Sequence, residues 1–179
     1  MKKLFFRYTG FIPLIALFSG VYAQNSKFST ELNSPTSKEV AYNHTAKEGT
    51  APAVPGISTK AVKNFTKTFK NAVNANWFVI KNGYLAKFNH NGITTKVFYD
   101  PKGRLVGNLR CYFEDKLPRD IRHLVKSHYY DSNIYYVQEV TVGNAIVYLV
   151  KIEDKISFKT IRVQDGEMTE TEAFNKSKL

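Results

Sequence analysis

Few groups in this 179-residue sequence could do chemistry, and their spacing argues against most of it. The four histidines are His44, His90, His123 and His128. Two histidines bind a metal from one helix when they stand four apart and share a face; His123 and His128 are five apart and do not. His44 lies in a polar stretch and His90 stands between Asn89 and Asn91, a turn composition, so no metal site is expected. Cys111, the single cysteine, would need a histidine or cationic neighbour to serve as a thiolate nucleophile. It alternates instead with Leu105, Gly107, Leu109 and Phe113, which reads as a strand with Cys111 as a small, buried apolar residue. Glu114-Asp115 and Glu153-Asp154 are adjacent acids at strand ends, where solvation is expected; acid–base catalysis needs carboxylates that converge on a cleft. The sequence holds neither a nucleophile elbow nor a phosphate-cradling glycine loop. No catalytic residue, metal or cofactor is expected, and an enzyme is the weakest functional class.

A binding surface is the stronger reading. On the strand face turned away from the helices, alternation places Lys87, Phe98, Arg110, Tyr112, Lys151 and Arg162 at the centre, with Leu85, Lys96 and Leu149 among them. A merely solvated sheet face holds fewer large apolar groups. Aromatics and arginine interleaved with lysine suit a protein surface or an acidic ligand. Against this stands the preference of Phe and Tyr for strands in general, or a covering loop or tail, 169–179. Tyr129, Tyr130, Tyr135 and Tyr136 form a second candidate, expected to divide between core and rim.

The elements that position this face follow from periodicity. Pro55-Gly56 precedes a first helix, capped by Ser58 or Thr59 and ending near Asn74. Its apolar stripe is Val62, Phe65, Phe69, Ala72 and Val73. Strands are expected at 76–81, 84–90, 93–99 and 104–113, joined by Asn82-Gly83, Asn91-Gly92 and Asp100-Pro101-Lys102-Gly103, all strong turn signals. Leu117-Pro118 opens a second helix with the stripe Ile121, Leu124, Val125 and His128. Strands return at 134–141, 145–152 and 156–164. Tyr84, Ala86, Phe88, Val97 and Tyr99 align with Tyr148, Val150, Ile152, Ile161 and Val163, and these are assigned to the helix side. The pattern gives an α+β fold: two αβββ-type repeats, the first with an extra strand, forming one twisted antiparallel sheet with both helices on one face.

The ends of the chain carry other signals. Residues 1–23 read as a secretory signal peptide, with Lys2, Lys3 and Arg7 before an apolar run and Val21-Tyr22-Ala23 before the cut. That run is interrupted by Pro13 and Gly20 and is shorter than a membrane span, so no transmembrane segment is expected in the mature chain. Residues 24–56, rich in Ser, Thr, Asn and Pro, read as a disordered linker. Residues 57–179 form the domain. The formal charge of +11 becomes +8 without the leader's three basic residues, which favours acidic partners or anionic surfaces. Nucleic-acid motifs are absent, and no nucleic-acid partner is expected.

Asn76-Trp77-Phe78, Gly83-Tyr84-Leu85-Ala86-Lys87-Phe88, Tyr99-Asp100-Pro101-Lys102-Gly103, Leu117-Pro118-Arg119-Asp120-Ile121 and Asp165-Gly166, with the leader, resemble the PepSY-like, β-lactamase-inhibitor-like family of exported bacterial proteins. The resemblance spans roughly residues 57–170 and implies a helix-plus-sheet repeat fold in a periplasmic or secreted protein. It transfers no catalytic residue. The expected function is a non-enzymatic extracytoplasmic binding module that inhibits or regulates a secreted or periplasmic enzyme. The alternative is an envelope-surface protein that binds an anionic glycan or lipid.

Overall fold

The computed structural model describes residues 39–40, 54–72 and 74–178. The expected leader (1–23) and most of the expected linker lie outside them. Among the described residues nine strands form one sheet in simple sequence order, every neighbouring pair antiparallel. They are β1 (Glu39–Val40), β2 (Asn76–Ile80), β3 (Gly83–His90), β4 (Ile93–Tyr99), β5 (Leu105–Tyr112), β6 (Asn133–Val142), β7 (Ala145–Glu153), β8 (Ser157–Gln164) and β9 (Glu167–Asn175). Helix α1 (Thr59–Thr68) precedes β2, and α2 (Arg119–His128) precedes β6, so one helix and four strands occur twice in succession. The fold is α+β.

Tight hairpins explain the meander. Asn91-Gly92 and Asp165-Gly166 both adopt positive φ, the conformation that twists a two-residue turn in the same sense as its flanking strands. The turn Asp100-Pro101-Lys102-Gly103 closes with the Gly103 N–H donating to the Asp100 carbonyl at 2.9 Å. Gly103 also seats the turn against α1: a Cβ there would lie 2.7 Å from the Ala61 nitrogen.

Each helix covers its own half of the sheet. Ala61, Val62 and Phe65 of α1 pack with Trp77, Ala86, Phe88, Val97 and Tyr99, while Val125 of α2 packs with Val137, Val150, Ile152, Ile161 and Val163. Aromatic rings lock the first cluster, Phe65 standing edge-on to both Trp77 (5.3 Å between centroids) and Phe88 (5.6 Å). Tyr84 and Tyr148 are half-buried against the two clusters.

Three expectations need correction. Helix α1 stops at Thr68 rather than near Asn74; Phe69 already leaves helical dihedrals, and Asn74 takes φ 54°. His128, expected in the stripe of α2, is exposed. The segment expected as a tail from residue 169 is instead most of edge strand β9. Val54 is 3% exposed within the first cluster, and Glu39–Val40 pair with β2.

The most consequential correction is in β5. Phe98 pairs with Gly107 but Tyr99 pairs with Leu105, leaving Val106 as an extra residue in a β-bulge. Directly opposed residues share a face, and one added residue exchanges faces for the rest of the strand. Gly107, Leu109 and Cys111 therefore oppose Phe98, Lys96 and Thr94 on the helix-free face. Arg110 and Tyr112 turn to the helix side. Tyr112 is 2% exposed within the α2 cluster, and Cys111, expected inside, is half-buried on the other face.

Two buried tyrosines give the stability a directional pH dependence. Burial holds the Tyr99 phenol well above its ordinary value of 10.0; at Tyr112 burial acts first and the hydrogen bond to Glu139 adds to it. A phenol that ionises harder when folded contributes fully below pH 10 and loses that contribution as the unfolded chain ionises above it. Stability is expected to fall by about 1.4 kcal/mol per pH unit per tyrosine above about pH 10. Urea titrations between pH 9 and 12 measure this. Tyr99→Phe should flatten the limb, and an unchanged slope would show that Tyr99 ionises freely in the folded protein.

Candidate functional site

The helix-free face is built by cross-strand rows. Leu85, Phe98 and Gly107 are opposed across β3, β4 and β5. Gly107 is required by close approach, since a Cβ there would lie 2.5 Å from the Thr141 carbonyl oxygen. The next row runs Asn76, Lys87, Lys96, Leu109, Val140, Val147 through six strands. Lys87 and Lys96 thus stand directly opposite one another, a like-charge arrangement that is unfavourable in a sheet. The Lys96 ammonium is held below its ordinary value, chiefly by burial and further by the charge of Lys87, with Cys111 acting in the other direction.

A third row carries Thr94, Cys111, Gln138, Leu149, Arg162 and Thr169. Arg162 donates to the Gln164 side chain. Beyond it Lys151 opposes Tyr136 and Thr160, and the Thr160 hydroxyl donates to Glu172 at 2.9 Å. Leu109, Gln138 and Val147 are buried and floor the face. Of the six residues placed at its centre from sequence, Lys87, Phe98, Lys151 and Arg162 stand on this face. Arg110 and Tyr112 stand on the other.

Arg110 and Tyr112 meet there around a residue the sequence reading passed over. Glu139, 6% exposed, accepts from Arg110 Nη1 at 2.7 Å and from the Tyr112 hydroxyl at 2.6 Å. The Arg110 guanidinium lies 5.6 Å from the Tyr112 ring centroid. A lone acid in the apolar run of β6 was the available signal, but its partner is named only by the register of β5 on β6, which opposes Arg110 and Glu139. The tyrosines divide: Tyr129 packs on the α2 cluster, Tyr130 is 76% exposed, and Tyr135 stacks edge-on with Phe158. Among the described residues no three His, Cys, Asp or Glu side chains are grouped as metal ligands, and no helix is long and apolar enough to cross a membrane.

No family model matches the sequence, and no curated protein does. Solved structures share the fold. A DUF2874 family protein from Bacteroides ovatus ATCC 8483 aligns with a TM-score of 0.53 and 19% identity, over 72% of this chain and 92% of that one. A BLIP-like protein from Bacteroides fragilis NCTC 9343 aligns at 0.52 and 16% identity, over 67% and 86%. A protein from Bacteroides eggerthii DSM 20697, assigned provisionally to the periplasm, aligns at 0.52 and 18%, over 66% and 88%. The chain has the BLIP-like fold. These structures do not extend the likeness to PepSY proteins in particular, and at such identities the likeness is one of fold.

Proposed function

We propose that this chain is a non-enzymatic, extracytoplasmic protein-binding module whose contact surface is the helix-free sheet face, and that it regulates or inhibits a secreted or periplasmic enzyme. The observation that carries this reading is the composition of that face: Phe98 on β4 with Lys87 on the adjacent β3, and Lys151 and Arg162 on β7 and β8 farther along the same face, on the side of the sheet where neither described helix packs. Both helices are already used in the core, so the combination of aromatic and basic groups is not needed to hold them. The BLIP-like and periplasmic neighbours agree with a binding role outside the cytoplasm. The two helix–four-strand halves are read here as copies of one unit, since Ala86 and Phe88 of β3 and Val150 and Ile152 of β7 are buried at corresponding places. The PepSY-like kinship belongs to the same reading and rests on the sequence resemblance.

The opposed pair Lys87 and Lys96 favours a second reading, an envelope-surface protein that holds an anionic glycan or lipid. Salt separates the two, because ionic attraction at the protein surface is screened within roughly 8 Å at physiological ionic strength while a packed interface is much less so. In pull-downs from an envelope fraction, a protein partner should stay captured at about 0.5 M salt, where a purely ionic surface contact is lost. Phe98 is half-buried, so Phe98→Ser should lower stability by about 1–2 kcal/mol and abolish capture. Undiminished capture by a folded Phe98→Ser variant would remove this face from consideration.

A further inference from the structure

We propose that a second site lies on the helix side of the sheet: a cleft at the C-terminal end of α1 that binds a small apolar monocarboxylate, its carboxylate received by Arg110. The cleft has a volume of about 250 Å³, with Phe69, Phe88 and Ile93 as apolar walls and Arg110 and Thr95 among its polar groups. Thr95 stands directly opposite Arg110 across β4 and β5, so a hydroxyl and a guanidinium share one wall. Lys70 also lines the cleft, and no carboxylate does among the described residues.

Arg110 is set for this task. Glu139 takes Nη1, Tyr112 holds the other Glu139 oxygen, and the guanidinium is braced near the Tyr112 ring. One edge of the fork is thereby fixed while the side chain remains 38% exposed. A guanidinium has five N–H donors in a rigid plane, which leaves donors for a second planar acceptor. The charge count selects the ligand: Glu139 offsets Arg110, and Lys70, with His90 also in the lining, leaves the cleft net basic, which suits a monoanion. Size selects it too, because 250 Å³ is below the roughly 300 Å³ at which pockets for larger ligands begin. The occupant is therefore an aryl- or branched-alkyl carboxylate, met either as a free acid or as the C-terminal residue of a peptide. This site is on the opposite side of the sheet from the proposed protein contact and does not depend on it.

The probes are 4-phenylbutyrate, N-acetylphenylalanine and the corresponding primary amides, titrated calorimetrically into the whole chain. Charge-assisted hydrogen bonds contribute about 1.5–3 kcal/mol, so at least one acid should bind about tenfold or more tighter than its amide. Preference for phenylbutyrate identifies a free acid, and preference for N-acetylphenylalanine identifies a peptide terminus; either supports the site. Ile93→Trp should fill the cleft and abolish binding with the thermal transition retained. If that variant does not fold, amide chemical shifts of the wild-type chain decide, with changes expected at residues 68–72, Thr95 and Arg110. No saturable binding, equal affinity for acid and amide, or shifts confined to the helix-free face would each overturn the assignment.

Discussion

Truncation of Trp77 to alanine is expected to lower the unfolding free energy by about 3–5 kcal/mol. Trp77 is 2% exposed on β2, edge-on to Phe65 at 5.3 Å and tilted against Tyr99 at 5.7 Å. Its directly opposed neighbour on β3 is Ala86, too small to reach into a vacated space. Phe65 could advance only by breaking its own contacts with Phe88 and Phe69, whose centroids lie 5.6 and 5.4 Å away. The cavity should therefore persist, and persistence is what takes the cost above simple transfer of the side chain. Equilibrium urea unfolding measures it. In the native protein the same placement demands blue-shifted tryptophan emission that acrylamide barely quenches. A loss below about 1 kcal/mol would mean that α1 settles into the space.

The faces of β3, β4, β7 and β8 could be read from sequence because each carries buried apolar residues two apart: Ala86 and Phe88, Val97 and Tyr99, Val150 and Ile152, Ile161 and Val163. Ala86 opposes Val97, and Val150 opposes Ile161, all fully buried. The turns were legible for a local reason, since Asn91-Gly92 and Asp165-Gly166 can take positive φ. Strand β9 was not, because Glu167, Thr169, Glu170 and Thr171 are all exposed and an edge strand with little to bury has no apolar period.

The candidate site was legible only as far as the register was. Lys87, Phe98, Lys151 and Arg162 follow from the buried neighbours Ala86 and Phe88, Val97, Val150 and Ile152, and Ile161 and Val163, and the register shift beside Phe98 is taken up on β5. Arg110 and Tyr112 were inferred from Cys111, a residue small enough to suit either face. The bulge at Val106 arises where Gly107 meets the Thr141 carbonyl, a contact between strands more than thirty residues apart in the chain. Nothing local encodes that contact, so the alternation of Leu105, Gly107 and Leu109 was followed through the bulge and β5 was turned over.

That inversion leads to a sharp prediction at Tyr112. On the helix-free face Tyr112→Ser would be nearly neutral, whereas in the observed position it should cost about 3–5 kcal/mol, since the ring is 2% exposed among Val125, Val137 and Val150. Tyr112→Phe separates the ring from the hydroxyl. It keeps the packing but leaves one Glu139 oxygen without its 2.6 Å donor, in a side chain only 8% exposed. An acceptor stranded in that way costs about 1–3 kcal/mol. Arg110 limits the damage, because its 2.7 Å contact still neutralises the carboxylate. The double variant Tyr112→Phe/Glu139→Gln should therefore recover part of the loss: a neutral amide is less costly to bury than a half-satisfied carboxylate, although Arg110 then gives up its ion pair. Urea unfolding of the three variants at neutral pH distinguishes these terms. Equal stabilities for wild type and Tyr112→Phe would show that the hydroxyl contributes no net stability, and a near-neutral Tyr112→Ser would return the side chain to the helix-free face.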